Sequence, residues 1–125
     1  MSTTLPGRDI EVSAELMFVM ADLLDDPNPI HLDPEATRRM GLGDRVINQG
    51  PTNCGYVVSM LQDAFPGGAL LALRLRLGGQ VKGGDRVHAG GAITAEHDGV
   101  VECDVWLDVE GGARAIEGTA TVRPA

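Results

Sequence analysis

An aspartate and a histidine stand five residues apart within residues 25–34, and prolines lie between them. In a regular helix, side chains at positions i and i+5 point to different sides. Pro27 and Pro29 lack a backbone N–H and bias the residues before them toward extended conformations, so the chain bends between Asp26 and His31. A carboxylate and an imidazole that share one water can move protons near neutral pH. The segment therefore predicts an acid/base pair.

The same segment also has a purely structural interpretation. Asn28-Pro29 and Asp33-Pro34 are each typical of a helix N-cap followed by proline at the first helical position. On this interpretation the polar residues end and begin short helices and carry no chemistry. The segment taken alone is compatible with both interpretations.

Further motifs extend the pattern over most of the chain. They are Asp-Pro-Asn-Pro-Ile-His-Leu-Asp at 26–33, Ile-Asn-Gln-Gly at 47–50, Gly-Asp at 84–85 and Gly-Thr-Ala-Thr-Val at 118–122. With these motifs the chain resembles, from residue 22 to residue 122, the MaoC-like (R)-specific enoyl-CoA hydratases and dehydratases. The resemblance implies an α+β hot-dog fold, in which an antiparallel sheet wraps around a central helix. It also implies a hydro-lyase of lipid metabolism.

Two positions depart from the family pattern. Gln49 stands where the family usually has histidine, and residues 48–53 look more like a smaller set of short MaoC-like chains that read Asn-x-Gly-Pro. Residues 77–80 read Leu-Gly-Gly-Gln where the family has Phe-x-x-Pro, which changes the expected shape of the acyl pocket. Neither departure touches Asp26 or His31.

The resemblance implies reversible hydration of a trans-2-enoyl-CoA to the (R)-3-hydroxyacyl-CoA. Asp26 is then the expected base, and His31 orients the water and shares its proton. The backbone N–H of Gly50 is the expected donor to the thioester oxygen. Gly50 precedes Pro51, so we expect it to cap a helix whose first N–H groups are unpaired and whose positive dipole end faces the substrate.

Substrate contacts are expected from two kinds of residue. Asn28 and Gln49 lie within the motifs, and each has a structural role as its alternative, capping for Asn28 and filling space for Gln49. Arg74 and Arg76 share one face of a predicted strand, where cations can bind the phosphates of coenzyme A. Other cations are Lys82 and Arg86 nearby, and Arg38, Arg39 and Arg45 after the first motif. A solvated surface is the alternative for both groups.

Length and charge limit the function further. A chain of 125 residues predicts one domain, residues 1–125, which buries roughly two thirds of its unfolded surface. With 43% hydrophobic but only 3% aromatic residues, the core must be aliphatic. The net charge of −8 argues against binding to nucleic acid or anionic membranes. No apolar run reaches the length of a membrane span, and residues 1–6 lack a signal-peptide pattern, so we expect a cytoplasmic protein.

Cysteine and histidine positions give no sign of a metal or another cofactor. Cys54 and Cys103 fall on apolar faces, so we expect buried thiols rather than a disulfide or a nucleophile. His88 and His97 lie outside the motifs and are expected at the surface. We therefore expect the reaction to need no cofactor.

The hydrophobic period changes once along the chain. Helices are predicted at residues 12–24 with Ser13 as N-cap, at 34–40 ended by Gly41, and at 51–64. The last of these carries an apolar stripe, formed by Cys54, Val57, Val58, Leu61 and Phe65. Beyond residue 68 a period of two predicts four half-buried strands, with inward residues at 71–77, 87–95, 101–109 and 116–122. Short glycine-rich links predict antiparallel pairing, with the third helix on the concave face of the sheet.

Such a sheet has open edges, which proteins of this size rarely leave exposed. The resemblance implies a dimer with the site at its interface, so we expect a homodimer, with a heteromer of MaoC-like chains as the alternative. The expected ligand is an acyl thioester of coenzyme A or of acyl carrier protein. Two other functions remain open: a hot-dog thioesterase, and a non-catalytic acyl-CoA-binding subunit.

Overall fold

Five antiparallel strands form one sheet in the computed structural model, which describes residues 3–125. The spatial order of the strands is β1-β3-β4-β5-β2, so β3, β4 and β5 form a meander at the centre. The predicted α+β architecture is confirmed. The strands are β1 Arg8–Glu11, β2 Ala69–Leu77, β3 Arg86–His97, β4 Val100–Val109 and β5 Arg114–Arg123.

The first strand is a feature that the sequence prediction missed. β1 pairs with β3 over four residues, from Arg8 opposite Ala89 to Glu11 opposite Arg86. Its side chains are exposed apart from Ile10, so it has no apolar alternation to read. The prediction that helices come first and strands afterwards was therefore wrong at this point, because β1 depends on pairing with β3.

The second strand is an edge strand with a break in its register. Leu70 pairs with Val122 and Ala72 with Thr121, so Leu71 is an extra residue in a bulge. The predicted inward series that began at Leu71 is wrong at its first member, and its last member, Leu77, lies beside α3 but is exposed. Leu73 and Leu75 do pack against the core, as predicted.

The described residues contain three α-helices and one short 3-10 helix. The α-helices are α1 Ala14–Leu23, α2 Pro34–Arg39 and α3 Gly50–Ala64, and the 3-10 helix is Pro29–His31. Ser13 caps α1, as predicted, by accepting a hydrogen bond from the N–H of Leu16. Asp33 caps α2 by accepting from Glu35, and Gly41 follows α2 in a left-handed conformation. Local capping thus sets the start of α1 and both ends of α2.

Helix α3 packs on one face of the sheet and contacts β1, β3 and β4. Of the predicted stripe, Val57 and Leu61 are fully buried, whereas Cys54, Val58 and Phe65 are half-buried. The helix instead also buries Met60 and the polar Asn53. The buried face of α3 is therefore rotated by about one residue from the face that the sequence predicts.

An aliphatic core lies between α3 and the sheet, as composition predicts. Its fully buried members include Met17, Met60, Val57, Val105 and Leu107. Cys103 is buried and Cys54 half-buried, and both are free thiols. Burial raises the pKa of both thiols, which keeps them protonated. Within residues 3–125, no helix is long and apolar enough to cross a membrane.

Candidate active site

Asp26 is positioned by the C-terminal end of α1. The N–H of Asp26 donates to the carbonyl of Ala21 at 2.9 Å, and that of Asp25 donates to Asp22 at 3.2 Å. Asp25 has a φ of 50°, a left-handed conformation that aspartate tolerates better than most residues. The chain therefore leaves the helix in a sharp turn immediately before Asp26.

His31 is positioned by the 3-10 helix that follows. Asn28 caps this helix, because its Oδ1 accepts from the N–H of Ile30 at 3.3 Å. Oδ1 of Asp26 in turn accepts from the N–H of Asn28 at 3.3 Å. The capping interpretation and the acid/base interpretation of this segment are therefore compatible, because the capped turn brings His31 back toward Asp26.

The imidazole of His31 contacts two acceptors. Nδ1 lies 2.6 Å from the carbonyl oxygen of Ile47, and because a carbonyl only accepts, Nδ1 carries a proton. Nε2 lies 3.3 Å from Oδ2 of Asp26. In a neutral ring Nε2 is an acceptor, and so is an ionised carboxylate. At 3.3 Å the two atoms are close enough to share one proton directly.

Burial differs between the two partners. The side chain of His31 is only 9% exposed, whereas that of Asp26 is 38% exposed. The imidazole is therefore held rigidly inside the protein, and the carboxylate faces the outside. This arrangement lets a bound molecule approach the pair from the side of Asp26.

The segment formed by residues 47–50 joins the pair to α3. The N–H of Ile47 donates to Ile30 at 2.8 Å, and the N–H of Asn48 donates to Val81 at 2.7 Å. Nδ2 of Asn48 donates to Oδ1 of Asn53 at 2.8 Å and to the hydroxyl of Tyr56 at 3.1 Å. These bonds hold the carbonyl of Ile47 where His31 needs it.

Gly50 is the first residue of α3, and the N-cap is Gln49 rather than Gly50 as predicted. Gly50 still lies in the first turn of α3, where helix N–H groups lack intrahelical partners and the helix dipole favours negative charge. A Cβ at position 50 would lie 3.2 Å from Cδ2 of Leu77. The glycine therefore allows β2 to pack closely against the start of α3.

Gln49 is fully buried, and its side chain contacts α1. Its Nε2 donates to the carbonyl of Met17 at 2.9 Å. Its Oε1 is buried and has no hydrogen-bond partner among residues 3–125, and the same holds for Oγ1 of Thr52. The side chain of Gln49 therefore links two helices and is not merely space-filling.

The predicted cations are not brought together with Asp26 and His31. Arg74 and Arg76 are exposed and alternate with the core-facing Leu73 and Leu75, so they lie on the sheet face away from α3. Arg76 there lines a surface cavity together with Trp106. Their role as substrate contacts stays a prediction.

The other cations near the first motif are engaged in ion pairs. Arg45 contacts Asp85 at 2.9 Å, and Arg39 lies 3.9 Å from Asp33. Arg38 pairs with Glu35. Within the described part of the chain, no group of His, Cys, Asp and Glu side chains is arranged to hold a metal ion.

Sequence reasoning missed the groups that hold the site together. The carbonyls of Ile47 and Met17 are backbone groups, and every residue has one, so the residue type does not reveal them. Asn53 was visible as a polar residue inside a helix that is otherwise apolar on that face. Its position beside Asn48 in the motif region was the available signal.

Solved structures with the same fold cover nearly the whole chain. The (R)-hydratase from A. caviae involved in PHA biosynthesis aligns with a TM-score of 0.91 at 24% identity, covering 99% of this chain and 96% of that chain. The MaoC-like dehydratase from Rhodospirillum rubrum aligns with a TM-score of 0.80 at 19% identity, covering 98% and 90%. The chain has the hot-dog fold of these proteins. The resemblance drawn from the sequence motifs is confirmed at this level.

A third structure of this fold is an assembly of two different chains. The ChsH1-ChsH2 complex from Mycobacterium tuberculosis aligns with a TM-score of 0.87 at 20% identity, covering 99% of this chain and 97% of that chain. The sequence matches no protein-family model and no curated protein. The structural likenesses establish the hot-dog fold.

Proposed function

We propose that this protein is a hydro-lyase that adds water to the double bond of a 2-enoyl thioester and removes it in the reverse direction. The observation that carries the proposal is the contact of 3.3 Å between Nε2 of His31 and Oδ2 of Asp26. The carbonyl of Ile47, in the segment leading to Gly50 and α3, holds the same histidine. A base, a water-orienting group and an oxyanion donor therefore come from adjoining segments.

Hydration follows from these roles. Asp26 accepts a proton from a water that His31 orients, and the water oxygen bonds to C3 of the enoyl group. The π electrons of the C2=C3 bond move toward the thioester carbonyl, whose oxygen accepts a hydrogen bond from the N–H of Gly50. The proton held by the pair then passes to C2, and the carbonyl re-forms. Both parts of one water are then added from one face of the double bond, and the (R) configuration at C3 is what the MaoC-like resemblance implies.

An apolar acyl chain suits the surface between α3 and β2. Leu77 lies beside Gly50 at the start of α3. Near the other end of α3 is a cavity of about 80 Å³, whose lining includes Leu61, Phe65 and Leu70. We propose that the acyl group of a coenzyme A or acyl carrier protein thioester lies along this surface.

The proposed active form is an oligomer in which a second chain completes the site. β2 is an edge strand of nine residues, and Leu70, Leu71 and Leu77 on it are exposed. A long apolar edge favours pairing with another chain. A homodimer covers this edge with identical surfaces, and the ChsH1-ChsH2 complex supports a heteromer with a second MaoC-like chain as the alternative.

Incubation of the protein with crotonyl-CoA and with longer 2-enoyl-CoAs tests the proposal. We expect loss of the conjugated-enoyl absorbance and formation of the (R)-3-hydroxyacyl-CoA, resolved by chiral chromatography. The same enoyl groups on acyl carrier protein distinguish the carriers. Release of free thiol without hydration would indicate a thioesterase instead. Binding without turnover, relieved by a second MaoC-like chain, would indicate the non-catalytic subunit.

A further inference from the structure

We propose that Gln49 is a positioning residue that holds α1, and with it Asp26, in register with His31. The inference rests on the proposed function, because it concerns the same acid/base pair. Its physical basis is a single buried hydrogen bond of 2.9 Å from Nε2 of Gln49 to the carbonyl of Met17.

Helix α1 is held at its start by Val12, which is buried and makes backbone hydrogen bonds with Gly84 and Asp85, but few groups hold the helix beyond that point. Met17 is the one buried residue of α1, whereas Leu16, Phe18, Val19 and Leu23 are exposed. A helix that is fixed at its start and has one buried side chain can still tilt or rotate at its far end at low cost in packing energy. The bond from Gln49 fixes the backbone of α1 at the same residue whose side chain enters the core.

The position of α1 determines the position of Asp26. The N–H of Asp26 donates to Ala21 at 2.9 Å, so the aspartate moves with the end of the helix. On the other side, His31 is bound by the carbonyl of Ile47, two residues before Gln49. Residues 47–49 therefore hold the histidine at one end and the helix of the aspartate at the other.

Gln49 carries this role at a cost to stability. Its Oε1 is buried without a partner among residues 3–125, and an unpaired buried acceptor lowers the stability of the fold. Methionine has nearly the same length and shape and would avoid that cost. A polar side chain at this position is therefore unfavourable for the core alone, and positional control of the pair accounts for it.

Gln49→Met removes the donor while keeping the volume. We expect kcat to fall about tenfold or more with KM nearly unchanged, because small misplacements of catalytic groups are costly. The midpoint of chemical unfolding should stay the same or rise. A purely structural role would instead lower stability and activity together.

The ¹⁵N NMR spectrum of the His31 ring tests the coupling without any need for activity. In the wild-type chain, Asp26→Asn should shift the Nε2 resonance of His31. In the Gln49→Met chain the same substitution should change that resonance much less. Gln49→His, whose ring N–H can donate to Met17, should restore both the shift and the turnover.

Thr52→Val is the matched control. Oγ1 of Thr52 is also buried without a partner among the described residues, but Thr52 makes no hydrogen bond to α1. Its replacement should leave the His31 resonance and the turnover unchanged.

The proposal is overturned if Gln49→Met keeps the full effect of Asp26→Asn on His31, if it fails to fold, or if Thr52→Val has the same effect. A wild-type protein that hydrates no enoyl thioester would reject the proposed function, while the NMR comparison would still decide the role of Gln49.

Discussion

Among residues 3–125 there are three aspartate–histidine pairs. His97 and Asp98 are sequence neighbours on the surface, and of the other two pairs only one is built like an acid/base site. Nδ1 of His88 lies 2.8 Å from Oδ1 of Asp9, a shorter contact than the 3.3 Å between Nε2 of His31 and Oδ2 of Asp26. Distance alone would favour the wrong pair. The Asp9–His88 pair joins the edge strand β1 to β3 across the sheet.

The environments of the two histidines explain the difference. His88 is 49% exposed and Asp9 71% exposed, so water competes for every proton that they share. The ring of His31 is buried, and its second nitrogen is fixed by the carbonyl of Ile47. A defined tautomer and a rigid ring, rather than a short contact, are what make such a pair useful for proton transfer.

The largest effect is expected from substituting the two pairs in parallel. Asp26→Asn and His31→Ala should each lower hydratase turnover by about 10²–10⁴-fold, because a positioned proton transfer contributes that much. Asp9→Asn and His88→Ala should leave turnover within about twofold, since surface substitutions rarely propagate. Steady-state kinetics on a 2-enoyl-CoA make the comparison. Near-normal turnover in either member of the first pair would remove that residue from the mechanism.

A smaller loss is expected at the oxyanion donor. Gly50→Ala places a methyl group 3.2 Å from Cδ2 of Leu77, so either Leu77 or the start of α3 must shift. We expect turnover to fall about 10²-fold, the scale found when an oxyanion donor is displaced. Gly55→Ala, where a Cβ meets no atom within 4 Å, is the matched control on the same helix. Equal kinetics in the two variants would show that another group holds the oxygen.

Stability should also separate the two histidines. His31→Ala leaves the buried carbonyl of Ile47 without its partner, which costs about 1–3 kcal/mol of unfolding free energy. His88→Ala should change the unfolding free energy by no more than about 0.5 kcal/mol, because both members of its pair are exposed. Urea unfolding monitored by circular dichroism measures both. Equal losses would show that the burial of His31 has no energetic consequence.

The smallest expected effect concerns assembly. At micromolar concentration the protein should sediment as a dimer or a larger even assembly, because β2 leaves an apolar edge open. On dilution, the ring resonances of His31 should shift as turnover falls, whereas those of His88 should stay constant. Analytical ultracentrifugation that shows a fully active monomer would contradict the interface model.

Local features of this protein could be predicted from sequence because they depend on neighbouring residues. Ser13, Asn28 and Asp33 cap the elements that follow them, through hydrogen bonds that span two or three residues. The prolines between Asp26 and His31 bend the chain within the same short segment. Alternating apolar residues likewise predicted β3, β4 and β5, since the pleat of a strand imposes the period by itself.

Contacts between distant segments required the tertiary structure. β1 has no period of its own and exists because the edge of β3 accepts it. Gln49 meets Met17 across 32 positions of the chain, and His31 meets Ile47 across 16. The acceptors in both contacts are backbone carbonyls, which every residue possesses, so residue type could not reveal them. The sequence by itself determined which side chains could do chemistry, and only the packing of α1, the 3-10 helix and α3 decided how they are held.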